Sequence, residues 1–131
     1  MLTNNSFSLN ADNLEIFFLA RINECNSPIL YGEGYTIGLF DDLKDKITPE
    51  SAFKLIPTAI QIILANKDKE AFAPAIALLS TLIRITNTTQ QPTELLSRWD
   101  ELQNAVKQHL SNSYVKLAWN WLCEWYRIKQ N

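Results

Sequence analysis

Apolar residues along this 131-residue chain recur at the three- and four-residue steps of helices, with polar punctuation between the runs. Leu14, Phe17, Phe18, Ile22 and Cys25 share one helical face, and Asn26-Ser27-Pro28 closes that run. Asp12 and Glu15 have capping-box spacing, which starts the first helix near residues 10–12. Thr48-Pro49-Glu50 supplies an N-cap and a first-turn proline for a second helix striped by Phe53, Ile56, Ile60, Ile63 and Leu64. Pro57 falls inside that stripe and predicts a kink or a split into two short helices. A polar turn over 66–70 leads to a third helix, about 70–85, with Phe72, Ala75, Ile76, Leu79 and Ile83 on one face and apolar flanks besides. A helix apolar on all sides belongs in the core, so this one is expected to be the most buried.

The fourth helix, 92–111, carries the narrowest stripe: Leu95, Trp99, Leu102, Val106 and Leu110. Its other faces are polar, which places it on the outside. The fifth, 114–129, is different. Its apolar side chains cover about 200° of the circumference, twice the stripe of an ordinary surface helix. Tyr114, Leu117, Trp121, Trp125 and Ile128 occupy one side of that arc, and Val115, Trp119, Leu122 and Tyr126 the other. Core packing takes most of these residues, and the margin holding Trp119 and Tyr126 is a candidate exposed patch.

Between the first two helices lies the longest non-helical stretch, residues 29–47. It contains all three glycines of the chain, Gly32, Gly34 and Gly38, interleaved with Tyr31, Tyr35 and Phe40. An ordered loop is expected there, with a helical turn over 39–46. Loops of this length inside a compact domain are often functional. Three glycines are also too few for the tight turns of an all-β domain, so the class is a single all-α domain spanning 1–131.

Charge sharpens the loop further. Residues 1–65 carry four basic and eight acidic side chains, while 66–131 carry eight and six. The acidic excess sits in 24–50. With a net charge of −2 and a pI near 5.3, nucleic acid is not the expected partner. Nor is a membrane: the longest strongly apolar uncharged stretch, 71–83, is far shorter than the roughly 20 residues a span requires. Residues 1–15 carry no basic residue and no apolar segment of the signal-peptide kind. Cys25 and Cys123 stand 98 residues apart, outside any Cys-x-x-Cys pair, and read as reduced thiols of a cytoplasmic protein.

Reactive chemistry finds little support. Gly32-Glu33-Gly34-Tyr35-Thr36-Ile37-Gly38 places its third glycine one position late for a dinucleotide loop, and no Gly-Lys-Ser/Thr follows. The lone histidine, His109, borders the fourth helix's stripe without a carboxylate in reach, and Asp41, Asp42 and Asp45 lack calcium-loop spacing. No catalytic residue, metal site or cofactor is assigned, and the expectation is a non-enzymatic protein.

Two resemblances carry the functional expectation. The second and third helices overlay on the fourth and fifth: Phe72, Ala75 and Leu79 match Val115, Ala118 and Leu122 at an offset of 43 residues. Ile56, Ile60 and Leu64 match Leu102, Val106 and Leu110 at an offset of 46. Leu55-Ile56-Pro57 and Ser113-Tyr114-Val115-Lys116-Leu117-Ala118 resemble the two helices of a HEAT unit over roughly 55–125. The basic residue that unit carries is missing at Ala73, as is the Asp-Pro of its turn. About five helices are therefore expected as antiparallel hairpins, either HEAT-like or as an irregular bundle. In size, acidity and absence of catalytic groups the chain also resembles bacterial immunity proteins, which neutralise a cognate toxin domain, often a basic nuclease. That resemblance implies a protein partner whose active site is occluded. Tyrosine beside carboxylate suits such an interface, so the partner-binding candidates are Tyr31, Glu33, Tyr35, Asp41, Asp42, Asp45, Trp119 and Tyr126. The alternative is a HEAT-like scaffold holding a partner subunit or peptide, and a homo-oligomer is compatible with either.

Overall fold

From residue 71 to residue 83 every side chain of the third helix is buried, and the remaining elements are arranged to cover it. The computed structural model describes residues 9–25, 40–65 and 69–128. In order, these form α1 (Leu14–Cys25), a 3-10 turn (Asp41–Asp45), α2 (Pro49–Ala65), α3 (Lys69–Thr86), α4 (Thr93–Ser97), α5 (Trp99–Lys107) and α6 (Ser113–Tyr126). The fold is all-α, with no strand among the described residues.

α2 and α3 make the most extensive helix–helix contact, and α3 also packs against α6, α1 and the 3-10 turn. α2 in turn receives α1, α4 and α5. Ile56, Ile60 and Ile63 from α2 meet Ile76, Leu79, Leu82 and Ile83 from α3 in one continuous core. Trp99 of α5 stacks on Trp119 of α6 at 4.8 Å between ring centroids, joining two helices that otherwise touch little. His109, beyond the end of α5, lies flat on Phe72 of α3 at 3.9 Å and 9° between planes. It serves as a packing group there.

Three expectations are corrected. α2 runs unbroken through Pro57. Pro57 is half-buried, and the burial of Ile56, Ala59, Ile60 and Ile63 around it holds the helix together across the lost hydrogen bond. The expected fourth helix is two short ones, divided at Arg98 (φ −112°, ψ 17°). The break lets both α4 and α5 lie against α2, with Leu95, Leu102 and Val106 fully buried and Leu110 left 39% exposed. The last helix stops at Tyr126, where Arg127 takes the left-handed conformation and Ile128 N–H donates to the Cys123 carbonyl at 2.8 Å. Those are the features of a Schellman end.

The cap of α1 also differs. Asn10 Oδ1 accepts from the N–H groups of Asp12 and Asn13, and Asn13 Oδ1 accepts from Asn10 N–H at 2.8 Å. This is a reciprocal capping box two residues upstream of the Asp12–Glu15 pair. Asparagine wins because its short amide reaches its own backbone, which a longer glutamate at position 15 does less readily. The α2 cap is as expected, with Thr48 Oγ1 accepting from Ser51 N–H. Asn10→Ala is expected to lower stability by about 1 kcal/mol in urea denaturation, and Glu15→Ala to change it by less than about 0.5 kcal/mol. Equal losses from both would reinstate the downstream cap.

Candidate functional site

The acidic segment is only partly a free surface. Asp42 receives both guanidinium nitrogens of Arg21, at 2.8 and 3.0 Å, and the Lys46 ammonium at 3.1 Å. The Arg21 hydrogen bond beside it lowers the Asp42 carboxyl to about 2 despite the opposing effect of burial, with Lys46 assisting. Arg21 also lies over the rings of Phe17 (4.8 Å) and Phe40 (5.8 Å), and Phe18 stacks on Phe40 at 6.0 Å. The arrangement is a clamp that fastens the 3-10 turn to α1. Asp42 therefore has its charge met within the chain by Arg21 and Lys46, which gives this candidate a structural role. Asp41 and Asp45 are exposed and form no ion pair among the described residues. Tyr31, Glu33 and Tyr35 lie outside the described residues.

The aromatic margin of α6 is corrected too. Trp119 and Tyr126 are buried, 3% and 5% exposed. The inward face runs Val115, Ala118, Trp119, Leu122 and Tyr126, at steps of three and four, and Cys123 joins it. Burial raises the Tyr126 hydroxyl to about 12 and the Cys123 thiol to about 11. Cys123 is thus an inert core residue. The exposed margin is the opposite one. Leu117 is 68% exposed, while Tyr114, Trp121 and Trp125 are half-buried.

That margin borders two adjoining concavities that share Arg84. The first, about 280 Å³, is lined by Asp41, Lys44, Thr81, Arg84 and Ile85. The second, about 220 Å³, is lined by Ser80, Arg84, Tyr114, Leu117, Ala118 and Trp121. Arg84 is the first exposed residue after the buried run of α3, and its guanidinium sits over the Trp121 ring at 5.3 Å. Trp125, stacked on Trp121 at 5.5 Å, is fixed by donating from Nε1 to the Thr88 carbonyl at 3.0 Å. Burial raises the Tyr114 hydroxyl, Arg84 draws it back down and Asp41 adds to the rise. The three groups therefore sense one another across the boundary of the two concavities.

Of the residues lining these two concavities, sequence reasoning singled out Asp41 alone as a site. Arg84 did have a signal: it is the only charged residue between Glu70 and Glu94. Among the described residues no group of three or more His, Cys, Asp or Glu side chains could hold a metal ion, and no helix is long and apolar enough to cross a membrane. Comparison with protein-family models, with curated proteins and with solved structures finds no match to this chain.

The clamp sets a pH dependence. A carboxyl depressed in the folded state stabilises above its unfolded value, 3.8, and loses that contribution as pH falls toward about 2. At face value the depression is worth about 2.4 kcal/mol. The side chain is 40% exposed, so solvent screening leaves about 1 kcal/mol. Asp42→Asn should therefore cost about 1 kcal/mol in urea denaturation at pH 7, with the difference from wild type closing between pH 4 and 2. A difference independent of pH would show that the ion pair contributes nothing. For Cys123, iodoacetamide labelling followed by peptide mass analysis should show modification only under unfolding conditions.

Proposed function

We propose that this chain is a non-enzymatic protein-binding module acting as an immunity protein. On this reading it binds a cognate bacterial toxin domain, with a basic nuclease the best fit, and covers its active site. The observation that carries the reading is the surface where α3, α6 and the 3-10 turn meet. There an aromatic and aliphatic concave face meets Asp41, and the 3-10 turn that supplies Asp41 also carries Asp45; neither carboxylate is in an ion pair among the described residues. Apolar concavities supply contact area that survives desolvation, and rim charges steer the encounter without needing burial. Asp42 takes no part in this reading, since its charge is already met by Arg21 and Lys46.

The test is protection. Where a nuclease-type toxin domain is encoded beside the gene for this chain, cells producing that domain should survive when the chain is co-produced. Asp41→Lys combined with Asp45→Lys should lower the association rate with that domain by about tenfold at low salt and flatten its salt dependence. Asp42→Asn should leave the association rate unchanged. Absence of protection at equal expression, or indifference of the rate to the double reversal, would overturn the proposal.

One observation favours the scaffold alternative. α2 packs on α5 while α3 packs on α6, which is how successive helical hairpins stack in layers. On that reading the chain purifies in a stable multi-subunit assembly, and reversal of Asp41 and Asp45 leaves the assembly intact.

A further inference from the structure

We propose that the concavity between α3 and α6 receives a single tyrosine of the protein partner, one that carries a carboxylate beside it in the partner's chain. The inference rests on the protein-binding reading above and gives it a recognition element. Size is the first argument. About 220 Å³ is below the roughly 300–1,000 Å³ of sites that enclose a small molecule, and it suits one large side chain. Tyr114, Leu117, Ala118 and Trp121 line it, so the occupant presents an apolar body, and covering Leu117 removes a side chain 68% exposed from water.

Charge is the second argument. The Arg84 guanidinium lies over the Trp121 ring at 5.3 Å from its centroid, and no carboxylate pairs with it among the described residues. Its N–H donors are therefore available to an acceptor that a partner brings. A carboxylate matches that planar fork in a way that a neutral amide does not. In the adjoining concavity Lys44 adds one positive charge and Asp41 one negative, so the combined face accommodates one acid rather than a cluster.

The third argument is an orphan. Ser80, on the lining of the same concavity, is 1% exposed, and its hydroxyl has no hydrogen-bond partner among the described residues. A buried hydroxyl left unpaired costs about 1–3 kcal/mol relative to one that is met. A tyrosine brings a ring for the apolar walls and a hydroxyl for Ser80, which neither phenylalanine nor leucine does.

The test uses the full chain, isotopically labelled, titrated with acetyl-Tyr-Glu-amide while the indole N–H resonance of Trp121 is followed. Saturable shifts confined to α3 and α6 are expected, with a dissociation constant on the order of 1 mM for so small a probe. Acetyl-Tyr-Gln-amide and the Arg84→Gln variant should each weaken binding about tenfold, and their combination no further. Acetyl-Phe-Glu-amide should bind about fivefold more weakly than the tyrosine peptide. Ala118→Trp, which fills the concavity, should abolish the shifts, with unchanged resonances in α1 and α2 reporting that the fold is kept. Equal binding of the Glu and Gln peptides, shifts mapping elsewhere, or no shift by about 10 mM peptide would overturn the inference. Failure of the peptide with protection against the toxin intact removes this inference alone. Loss of protection with peptide binding intact removes the toxin reading alone.

Discussion

A helix buried on every side imposes a covering on the rest of the chain, and that constraint organises this protein. α3 is buried without interruption from 71 to 83, and Ile76, Leu78, Leu79, Leu82 and Ile83 are all fully excluded from water. No single partner helix can do that, because one packed neighbour covers only about a third of a helix's circumference. α2, α6, α1 and the 3-10 turn are therefore all recruited to it. Two of these coverings need special fastening. The 3-10 turn is too short to hold itself in place, and the Arg21–Asp42 bidentate pair with the Phe17–Phe18–Phe40 rings anchors it to α1. α6 is anchored at its far end, where Trp125 donates to Thr88 and Ile128 closes the last turn.

The same constraint explains where the concave face lies. Covering stops where the buried run stops, and Arg84 is the residue at which α3 emerges. On one side stands the 3-10 turn with Asp41 and Lys44, on the other α6 with Tyr114, Leu117 and Trp121. Two coverings diverging from one helix leave a recess between them. The cation at its edge is held over an aromatic ring, so it is pre-positioned without a counter-charge among the described residues.

Much of the architecture was legible from periodicity. The all-α class, the central place of α3, the Thr48 cap and the helical turn following residue 39 all follow from three- and four-residue spacing and turn chemistry. What escaped has identifiable causes. Pro57 breaks a helix only when nothing else holds it, and four buried residues on either side of it in the chain do hold it. The split at Arg98 answers to the surface of α2, which no local pattern encodes. The orientation of α6 was the most consequential error. An apolar arc of about 200° fits two inward faces equally well, and rotation is decided by which neighbour is present. Val115, Ala118, Trp119, Leu122 and Tyr126 are the set that is buried, and their burial brings Trp119 onto Trp99. The Asp42 ion pair escaped because charge counting cannot see that Arg21 comes from a helix 21 residues away in sequence.

These corrections change the character of the binding surface rather than only its address. A purely acidic loop would act through long-range attraction, which salt screens within a Debye length of about 8 Å and which sets arrival more than residence. With Asp42 internally neutralised, the described part of that loop offers Asp41 and Asp45 beside Lys44, a weaker and mixed field. On the proposed reading, residence then comes from short-range contact at the apolar recess flanking Arg84. The 3-10 turn contributes Asp41 and Lys44 to the adjoining concavity, which shares Arg84 with that recess, and the turn is held by the clamp on α1. An interaction on α1 thereby fixes one rim of the adjoining concavity, linking the stability of the α1 contact to the shape of that surface.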